Sequence, residues 1–271
     1  MHYADKKYNL KTKNNSSTAD FGRIFLSTIQ HMTFTNSLSD FFFSNKGNLI
    51  NKWHHYFEIY ERHFEKYKGK DVALMEIGVY HGGSLQMWKN YFGKNSRIYG
   101  IDINPECKKF EDDNVKIFIG SQEDRSFLRD VLKQIPELDI IIDDGGHTMR
   151  QQIVSFEVLY DRIKEDGIYL CEDTHTSYWK KYGGGYKRRG SFIEYSKQLI
   201  DFLYSLYPLK GSPPVNNFSK TTHSMHFYPG ILVIEKRKME TPVDSMTGTR
   251  TINDFDEKKL NFFERLFGQR S

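Results

Sequence analysis

The chain has 271 residues and a net charge of +4 at pH 7, with 39 Lys and Arg against 35 Asp and Glu. Charges this close to balance argue against a nucleic-acid-binding protein, which needs a strongly basic face. The 3 Trp, 17 Tyr and 21 Phe argue against a disordered chain. No apolar run approaches the ~18 residues of a membrane span, and the polar residues 1–15 predict no secretory signal. Two cysteines without a C-x-x-C pair exclude a zinc ribbon or a disulfide scaffold, so we expect a cytoplasmic protein.

The N-terminal part of the chain divides into two predicted segments. Residues 1–20 are rich in Lys, Asn, Ser and Thr and predict a flexible tail. Residues 21–70 predict a helical extension, because aromatic residues recur at spacings of three and four within NKWHHYFEIYERHF. The rings would share one stripe of an amphipathic helix that ends at Lys68-Gly69-Lys70.

Residues 71–236 alternate between predicted strands and helices. Five continuous apolar runs, DVALMEIG, RIYGIDI, VKIFIG, LDIIIDDG and GIYLCED, are typical of parallel strands buried on both faces. SMHFYPG and ILVIEKR follow as two strands joined by a Pro-Gly turn, which predicts an antiparallel hairpin. The pattern predicts an α/β fold, a Rossmann-like doubly wound sheet that is mostly parallel with a terminal antiparallel hairpin. Residues 237–271 predict a polar linker and a short helix.

The ends of the first three strands carry features of a nucleotide site, since ligands of open α/β sheets bind beyond the carboxyl ends of the strands. The first strand runs into the glycine-rich turn Glu76–Ser84, which lacks G-x-G-x-x-G because position 80 is tyrosine. Asp102 ends the second strand and could accept hydrogen bonds from both hydroxyls of a ribose. Taken alone, the glycines could simply form a tight turn, and Asp102 could simply cap a helix. Because the two features stand at the ends of consecutive strands, a nucleotide site is the better interpretation.

The fourth and fifth strands end in acidic residues and histidines, namely Asp143, Asp144, His147, Glu172, Asp173 and His175. Adjacent strands lie about 4.8 Å apart, so the carboxylates should converge, and they repel one another unless a divalent cation binds. Oxygen ligands favour Mg²⁺, Ca²⁺ or Mn²⁺ over zinc. A helix cap and a solvated acidic loop would explain the same residues without a metal. As a general base we favour His175 over His147, which could instead cap the following helix.

Four motifs, E-I-G-V-x-x-G-G-S, IDI, IIDDGGH and EDTHTSYW, resemble those of the class I S-adenosylmethionine-dependent methyltransferases. More closely, they resemble the metal-dependent branch that contains macrolide-sugar O-methyltransferases and cephalosporin-hydroxylase-like proteins. The segment KWHHYFEIYERHF is similar to the same branch, whose members close this helix over the cofactor. The resemblance covers about residues 50–236 and implies a seven-stranded sheet, with S-adenosyl-L-methionine and Mg²⁺ or Mn²⁺ as cofactors.

The resemblance also implies a role for individual residues. Glu76 and Gly78 would face the methionine part of the cofactor, Asp102 its ribose, and Ser121, Gln122 and Glu123 its adenine. His175 would be the general base, while His147 stays a candidate second catalytic histidine on the strength of its position alone. The implied metal ligands are Asp144, Glu172 and Asp173, with Asp143 as the rival for the first position. The complete set of residues that we expect to bind the cofactor is Lys52, Trp53, Tyr56, Glu76, Gly78, Gly82, Ser84, Asp102, Ser121, Gln122, Glu123 and Asp143.

The implied function is O-methylation of a sugar hydroxyl on a small-molecule or saccharide acceptor. The resemblance further implies a homo-oligomer, and the charge balance leads us to expect no nucleic-acid partner.

Two other functional classes stay open: a hydroxylase or oxidoreductase with a two-His-one-carboxylate iron site, and a non-catalytic protein that keeps the cofactor fold. The missing G-x-G counts against NAD, and the intact EDTH segment counts against a decayed site. The stretch YGGGYKRRG is either a mobile loop over the acceptor or a flexible connector.

Overall fold

The computed structural model describes residues 37–207, 210–211 and 213–252. The predicted tail at residues 1–20, the first part of the extension and the predicted C-terminal helix lie outside the described residues. Among the described helices none is both long and apolar enough to cross a membrane.

A seven-stranded sheet forms the centre of the fold, with strand order β3-β2-β1-β4-β5-β7-β6. Strands β1 to β5 pair in parallel, and β7 pairs antiparallel with both β5 and β6. This arrangement confirms the predicted doubly wound sheet with a terminal antiparallel hairpin. The strands are β1 (Ala73–Ile77), β2 (Arg97–Asp102), β3 (Val115–Ile119), β4 (Leu138–Asp143), β5 (Ile163–Cys171), β6 (Thr222–Tyr228) and β7 (Ile231–Lys236).

Helices cover both faces of the sheet, which is why its strands read as continuous apolar runs. In β1, for example, Leu74 packs into the hydrophobic cluster on one face, while Met75 and Ile77 pack into the cluster on the other. Helices α1 to α3 belong to the first cluster and α4 to α7 to the second. The helices are α1 (Leu38–Ser44), α2 (Tyr56–Phe64), α3 (Gly83–Phe92), α4 (Arg125–Leu132), α5 (Met149–Leu159), α6 (Phe192–Leu203) and α7 (Asn217–Thr221).

Helix α2 begins later than the aromatic pattern predicts. The spacing of rings places Trp53 on the same helical stripe as Tyr56 and Tyr60, and the latter two are indeed buried. Trp53 instead lies in a turn before the helix, with 54% of its surface exposed. The reason is local, because the side chain of neighbouring Lys52 reaches two carboxylates at the sheet edge and takes this part of the backbone out of the helix.

Candidate active site

The glycine-rich turn after β1 is held tightly against the neighbouring strand ends. Gly78 has φ of 93°, and a Cβ there would lie 2.0 Å from the carbonyl oxygen of Asp144, so only glycine fits. Asp102 anchors the turn, because its Oδ2 accepts hydrogen bonds of 2.9 Å from the backbone N–H of both Val79 and Tyr80. Each carboxylate oxygen has two lone pairs, so Asp102 keeps capacity for a ligand hydroxyl. Gly82, with φ of 74°, precedes α3.

Two predicted cofactor residues, Glu76 and Ser84, lie behind this turn rather than at its open edge. Ser84 Oγ donates to Glu76 Oε2 at 2.7 Å, and Trp88 Nε1 donates to Glu76 Oε1 at 3.0 Å. Both side chains are buried, and burial raises the pKa of Glu76 to about 7. In this conformation the pair fastens α3 to β1, so any contact with a cofactor would need the pair to open.

Gln122 and Asp143 form a second buried connection, between the ends of β3 and β4. Gln122 Nε2 donates to Asp143 Oδ1 at 2.9 Å, and Gln122 Oε1 accepts from Gly146 N at 2.7 Å. Tyr169 donates to the other oxygen of Asp143 at 3.0 Å, and burial raises the pKa of Asp143 to about 6. Gln122 therefore holds the acidic loop in place, while its neighbours Ser121 and Glu123 are more exposed.

Asp144, His147 and Asp173 converge at the carboxyl edge of the sheet. His147 Nε2 lies 3.8 Å from Asp144 Oδ1 and 3.6 Å from Asp173 Oδ2. One ligand atom from each of these three side chains lies within 4.8 Å of the others, close enough to hold a metal ion. Of the two rival aspartates, Asp144 faces this cluster and Asp143 faces the interior. The cluster joins one histidine to two carboxylates, which does not favour the two-His-one-carboxylate alternative.

The remaining oxygen of each clustered carboxylate is held by a neighbouring side chain. Lys52 Nζ donates to Asp144 Oδ2 at 2.5 Å, and the Tyr56 hydroxyl donates to Asp173 Oδ1 at 2.8 Å. Metal-binding carboxylates are commonly oriented by such outer partners. The two aspartates therefore offer one oxygen each toward the cluster centre, a donor set that fits a hard divalent cation such as Mg²⁺.

Glu172, the third ligand implied by the resemblance, is not part of this cluster. Its side chain is buried, and its Oε1 accepts a hydrogen bond of 2.8 Å from Lys52 Nζ. Burial, reinforced by the charge of Asp144, raises the pKa of Glu172. Burial alone would lower the pKa of Lys52, but the carboxylates of Asp144 and Glu172 raise it, so the ammonium stays charged between them.

Two of the clustered residues have strained backbones. His147 has φ of 57° and Asp173 has φ of 53°, a left-handed conformation that costs a residue other than glycine about 1–3 kcal/mol. The hydroxyl of Thr176 links the two residues, because it lies 3.0 Å from the carbonyl oxygen of His147 and 2.8 Å from that of Asp173 and its single proton is shared between them. Sequence reasoning missed Thr176, although it belongs to the EDTHT motif.

His175 lies on the outer side of the cluster between two exposed indole rings. Its ring centroid is 5.9 Å from that of Trp53 and 4.8 Å from that of Trp179, and both contacts are edge-to-face. His175 Nδ1 is 4.0 Å from Asp173 Oδ1. Burial lowers the pKa of His175 although Asp173 acts in the opposite direction, so the imidazole is neutral at pH 7.

The stretch Tyr182–Gly190 is fastened to the segment that carries His175. Gly184 N donates to Trp179 O at 3.0 Å, and Gly185 N donates to Ser177 O at 2.8 Å. Part of the stretch borders an open cavity of about 670 Å³ that continues along the first turn of α5. The lining of the cavity includes Thr148, the residue after His147, but none of the three clustered side chains.

Comparison with known proteins identifies the domain around this site. Residues 75–174 match a family model described as a methyltransferase domain. A 2'-O-methyltransferase of Streptomyces olivaceus that acts on 8-demethyl-8-alpha-L-rhamnosyl tetracenomycin-C is 35% identical over 197 residues, 69% of this chain and 52% of that protein. The mycinamicin VI 2''-O-methyltransferase of Micromonospora griseorubida is 29% identical over 212 residues, 74% of this chain and 52% of that protein. The chain thus spans about half the length of these curated relatives.

Solved structures of a methyltransferase from the mycinamycin biosynthetic pathway have the same fold. One, in complex with Mg, SAH and mycinamycin VI, has a TM-score of 0.66 at 27% identity and covers 84% of this chain and 58% of that one. Another, with Mg and SAH, has a TM-score of 0.67 at 25% identity and covers 100% of this chain and 72% of that one.

Proposed function

The domain that includes residues 75–174 belongs to the methyltransferase-domain family, and on that premise we propose that this chain is an S-adenosylmethionine-dependent O-methyltransferase. Its acceptor is a sugar hydroxyl on a glycosylated small molecule or a saccharide, and it uses Mg²⁺ or Mn²⁺. The observation that carries the proposal is the convergence of Asp144, His147 and Asp173 beside the glycine-rich turn. The named activities of the relatives support the sugar as acceptor. We also propose a homo-oligomer that works in the cytoplasm without nucleic acid.

The glycine-rich turn and Asp102 hold the cofactor in this proposal. The backbone of the turn would face the methionine part of the cofactor. Asp102 would accept a ribose hydroxyl through Oδ1, which accepts one hydrogen bond, from Asn104 N, while Oδ2 already accepts two from the turn. Ser121 and Glu123 would contact the adenine. Gln122 instead supports the loop after β4 through its hydrogen bonds with Asp143 and Gly146. A cofactor held by this turn would lie next to the acidic cluster, because β1 and β4 are neighbours in the sheet.

Asp144 Oδ1 and Asp173 Oδ2 are the proposed metal ligands from this chain. When bound there, a divalent cation lowers the pKa of a coordinated sugar hydroxyl. Lys52 and Tyr56 orient the two carboxylates, and the positive charge of Lys52 offsets part of the repulsion among the acids. Glu172 holds Lys52 in this proposal, a different role from that of metal ligand, which the resemblance implies.

His147 is the proposed acceptor of the hydroxyl proton. Its Nε2 lies within 3.8 Å of both clustered carboxylates, whereas His175 approaches only Asp173, at 4.0 Å. A positioned general base contributes about 10²–10⁴-fold to the rate. His175, together with the exposed faces of Trp53 and Trp179, would instead form the wall against which a sugar ring packs.

The reaction is tested by incubating the purified protein with S-adenosylmethionine, Mg²⁺ and a panel of rhamnosylated polyketides and simple glycosides. Mass spectrometry should find a single added methyl group on a sugar hydroxyl and an equal amount of S-adenosylhomocysteine. Failure to bind S-adenosylmethionine in calorimetry would contradict the proposal whatever the acceptor.

The two histidines are separated by His147→Ala and His175→Ala. We expect His147→Ala to lower turnover by about 10²–10⁴-fold with an unchanged cofactor affinity. We expect His175→Ala to raise mainly the KM of the acceptor. The reverse pattern would assign the base to His175, as the sequence first suggested.

A further inference from the structure

A second cluster of metal-binding side chains lies at the outer edge of the sheet, apart from the proposed active site. We propose that His63, His226 and Glu235 bind a single transition-metal ion, with Zn²⁺ as the best match, and that this ion joins helix α2 to the hairpin β6–β7. One ligand atom of each side chain lies within 4.8 Å of the other two. The proposal does not depend on the methyltransferase activity.

The hairpin register brings the three side chains to one face. Ser224 stands opposite Glu235 and His226 stands opposite Val233, so alternate residues of β6 and β7 point toward α2. His63 lies in the last turn of α2 and is 4% exposed. Two imidazoles and a carboxylate, from α2, β6 and β7, therefore meet beside the last turn of α2.

The distances are close to those of a metal site. His63 Nδ1 is 2.8 Å from Glu235 Oε1, and His226 Nε2 is 3.9 Å from the same oxygen. Zinc binds nitrogen and oxygen at about 2.0–2.2 Å in tetrahedral geometry, which separates its ligand atoms by roughly 3.3 Å. The two distances to Glu235 Oε1 therefore differ from that separation by about half an ångström, and His226 would give up its 2.9 Å hydrogen bond with Ser224 Oγ.

The surroundings of His63 match those of a metal-binding histidine. Its Nε2 is 3.0 Å from the hydroxyl of Tyr228, which leaves Nδ1 directed at the cluster. Histidines that bind metals usually have their second nitrogen fixed by such a partner. Imidazole and carboxylate together favour zinc, copper or nickel over Mg²⁺ and Ca²⁺. His223 Nδ1, 4.0 Å from Glu235 Oε2, is a further donor beside the cluster.

The ion would enter from solvent and would act on α2. The side chains of His223 and His226 are each 38% exposed, so the cluster is open at β6. The first residue of α2, Tyr56, hydrogen-bonds Asp173, and His63 lies seven residues further along. A rise of about 1.5 Å per residue puts the two groups roughly 10 Å apart along the helix. A metal ion at the second cluster would thus hold the end of the helix that the active site does not hold.

Calorimetric titration with ZnCl₂ tests the proposal in a protein that carries Asp144→Asn and Asp173→Asn. These two changes remove the carboxylates of the active-site cluster, the other group in the described part of the chain that could hold a metal ion. We expect one bound Zn²⁺ per chain, with an affinity that falls at least about tenfold in His226→Ala. The exposed His54, outside both clusters, supplies the matched control His54→Ala, which should bind like the parent. Absence of Zn²⁺ binding, or equal binding in His226→Ala, would overturn the proposal.

Thermal unfolding gives a second readout that does not require a buried side chain to be removed. Glu235→Gln keeps an amide oxygen as acceptor for His63 but loses the charged ligand, so the fold should persist. We expect Zn²⁺ to raise the Tm of the parent and of His54→Ala, and to raise the Tm of Glu235→Gln and His226→Ala by less. An equal rise in all four proteins would mean that Zn²⁺ binds elsewhere.

Discussion

Asp143 and Asp144 are adjacent in the chain, but their carboxylates have different surroundings. Asp143 is the last residue of β4 and turns into the interior, where Gln122 and Tyr169 hydrogen-bond both of its oxygens. Asp144 follows the strand and faces His147 and Lys52. Asp143 ends the strand with a buried side chain, whereas Asp144 lies in the loop that follows with 21% of its side chain exposed, so only Asp144 faces the metal-capable cluster.

Substituting each aspartate separately should therefore give different results. We expect Asp144→Asn to weaken Mg²⁺ binding at least about tenfold. It should also lower the stability, because it removes one of the two carboxylates that compensate the buried Lys52 ammonium. Asp143→Asn should keep the metal affinity, because its side chain lies away from the cluster, and should alter only the stability. Calorimetric titration with MgCl₂ measures the metal affinity of each variant, and urea unfolding measures its stability. Equal loss of Mg²⁺ affinity in the two variants would contradict the assignment of Asp144.

Glu76 should make the stability of the protein depend on pH. Its pKa in the folded state is raised to about 7 by burial, above the unfolded value of 4.5, so the folded state binds the proton more tightly. This contribution is complete below pH 4.5 and is lost as the pH rises toward 7. Relative to Glu76→Gln, the wild type should lose on the order of 3 kcal/mol of unfolding free energy across that interval. Urea unfolding at several pH values measures the difference, and parallel curves for the two proteins would contradict it.

A substitution at Gly78 measures how closely the backbone after β1 approaches the backbone after β4. Gly78→Ala would place a Cβ 2.0 Å from the carbonyl of Asp144 and would add the strain of a positive φ. Gly69 has a similar φ of 71° but nothing within 4 Å of a Cβ, so Gly69→Ala measures the strain alone. We expect a cost of about 1 kcal/mol for Gly69→Ala and several times more for Gly78→Ala. Equal costs would mean that the backbone at Gly78 can move away from Asp144.

At the level of secondary-structure elements, α2 connects the sheet edge to the core. Its aromatic side chains Phe57, Tyr60 and Phe64 are buried, while Tyr56 at its first turn reaches Asp173 and the carbonyl of Gly230. The segment before the helix places the Lys52 ammonium between the carboxylates of Asp144 and Glu172. The helix and the segment before it therefore position the two side chains that orient the clustered carboxylates.

Tyr56 and Tyr60 offer a matched pair of substitutions on this helix. Tyr56→Phe removes a hydroxyl that donates to Asp173 at 2.8 Å, so we expect a loss of about 1–2 kcal/mol in unfolding free energy and a weaker Mg²⁺ affinity. Tyr60 is equally buried, but its hydroxyl faces Glu172 without an aligned hydrogen bond. Tyr60→Phe should therefore change stability by less than about 1 kcal/mol. Urea unfolding measures both, and equal losses would show that the Asp173 contact contributes nothing.

In the whole molecule, the order of strands brings distant parts of the sequence to one edge. β1 pairs with β4, and β4 pairs with β5, so the glycine-rich turn, the Asp144 loop and the Asp173 loop are neighbours. Asp144 and Asp173 are 29 residues apart in the chain and meet only because the intervening α5 returns the chain to a parallel strand. This arrangement places a cofactor site next to a metal-capable cluster.

The sequence predicted the parts of this arrangement that depend on strand position. Apolar runs marked the strands, the Pro-Gly turn marked the hairpin, and acids at adjacent strand ends marked the edge where Asp144 and Asp173 meet. It could not predict side-chain partners, which depend on local backbone conformation. The left-handed backbones of His147 and Asp173 bring these two side chains together, and Lys52 takes Glu172 out of the cluster. Trp53 lies outside the predicted helix for the same reason.

Release of S-adenosylhomocysteine is the most direct measurement of the proposed metal-dependent methyl transfer. It is followed with a glycoside acceptor in Mg²⁺, in EDTA, and in EDTA followed by excess Mg²⁺, for the wild type and Asp173→Asn. We predict that EDTA abolishes release in the wild type, that Mg²⁺ restores it, and that Asp173→Asn stays at least about a hundredfold slower although it still binds S-adenosylmethionine. Undiminished release in EDTA, or wild-type release by Asp173→Asn, would contradict the account.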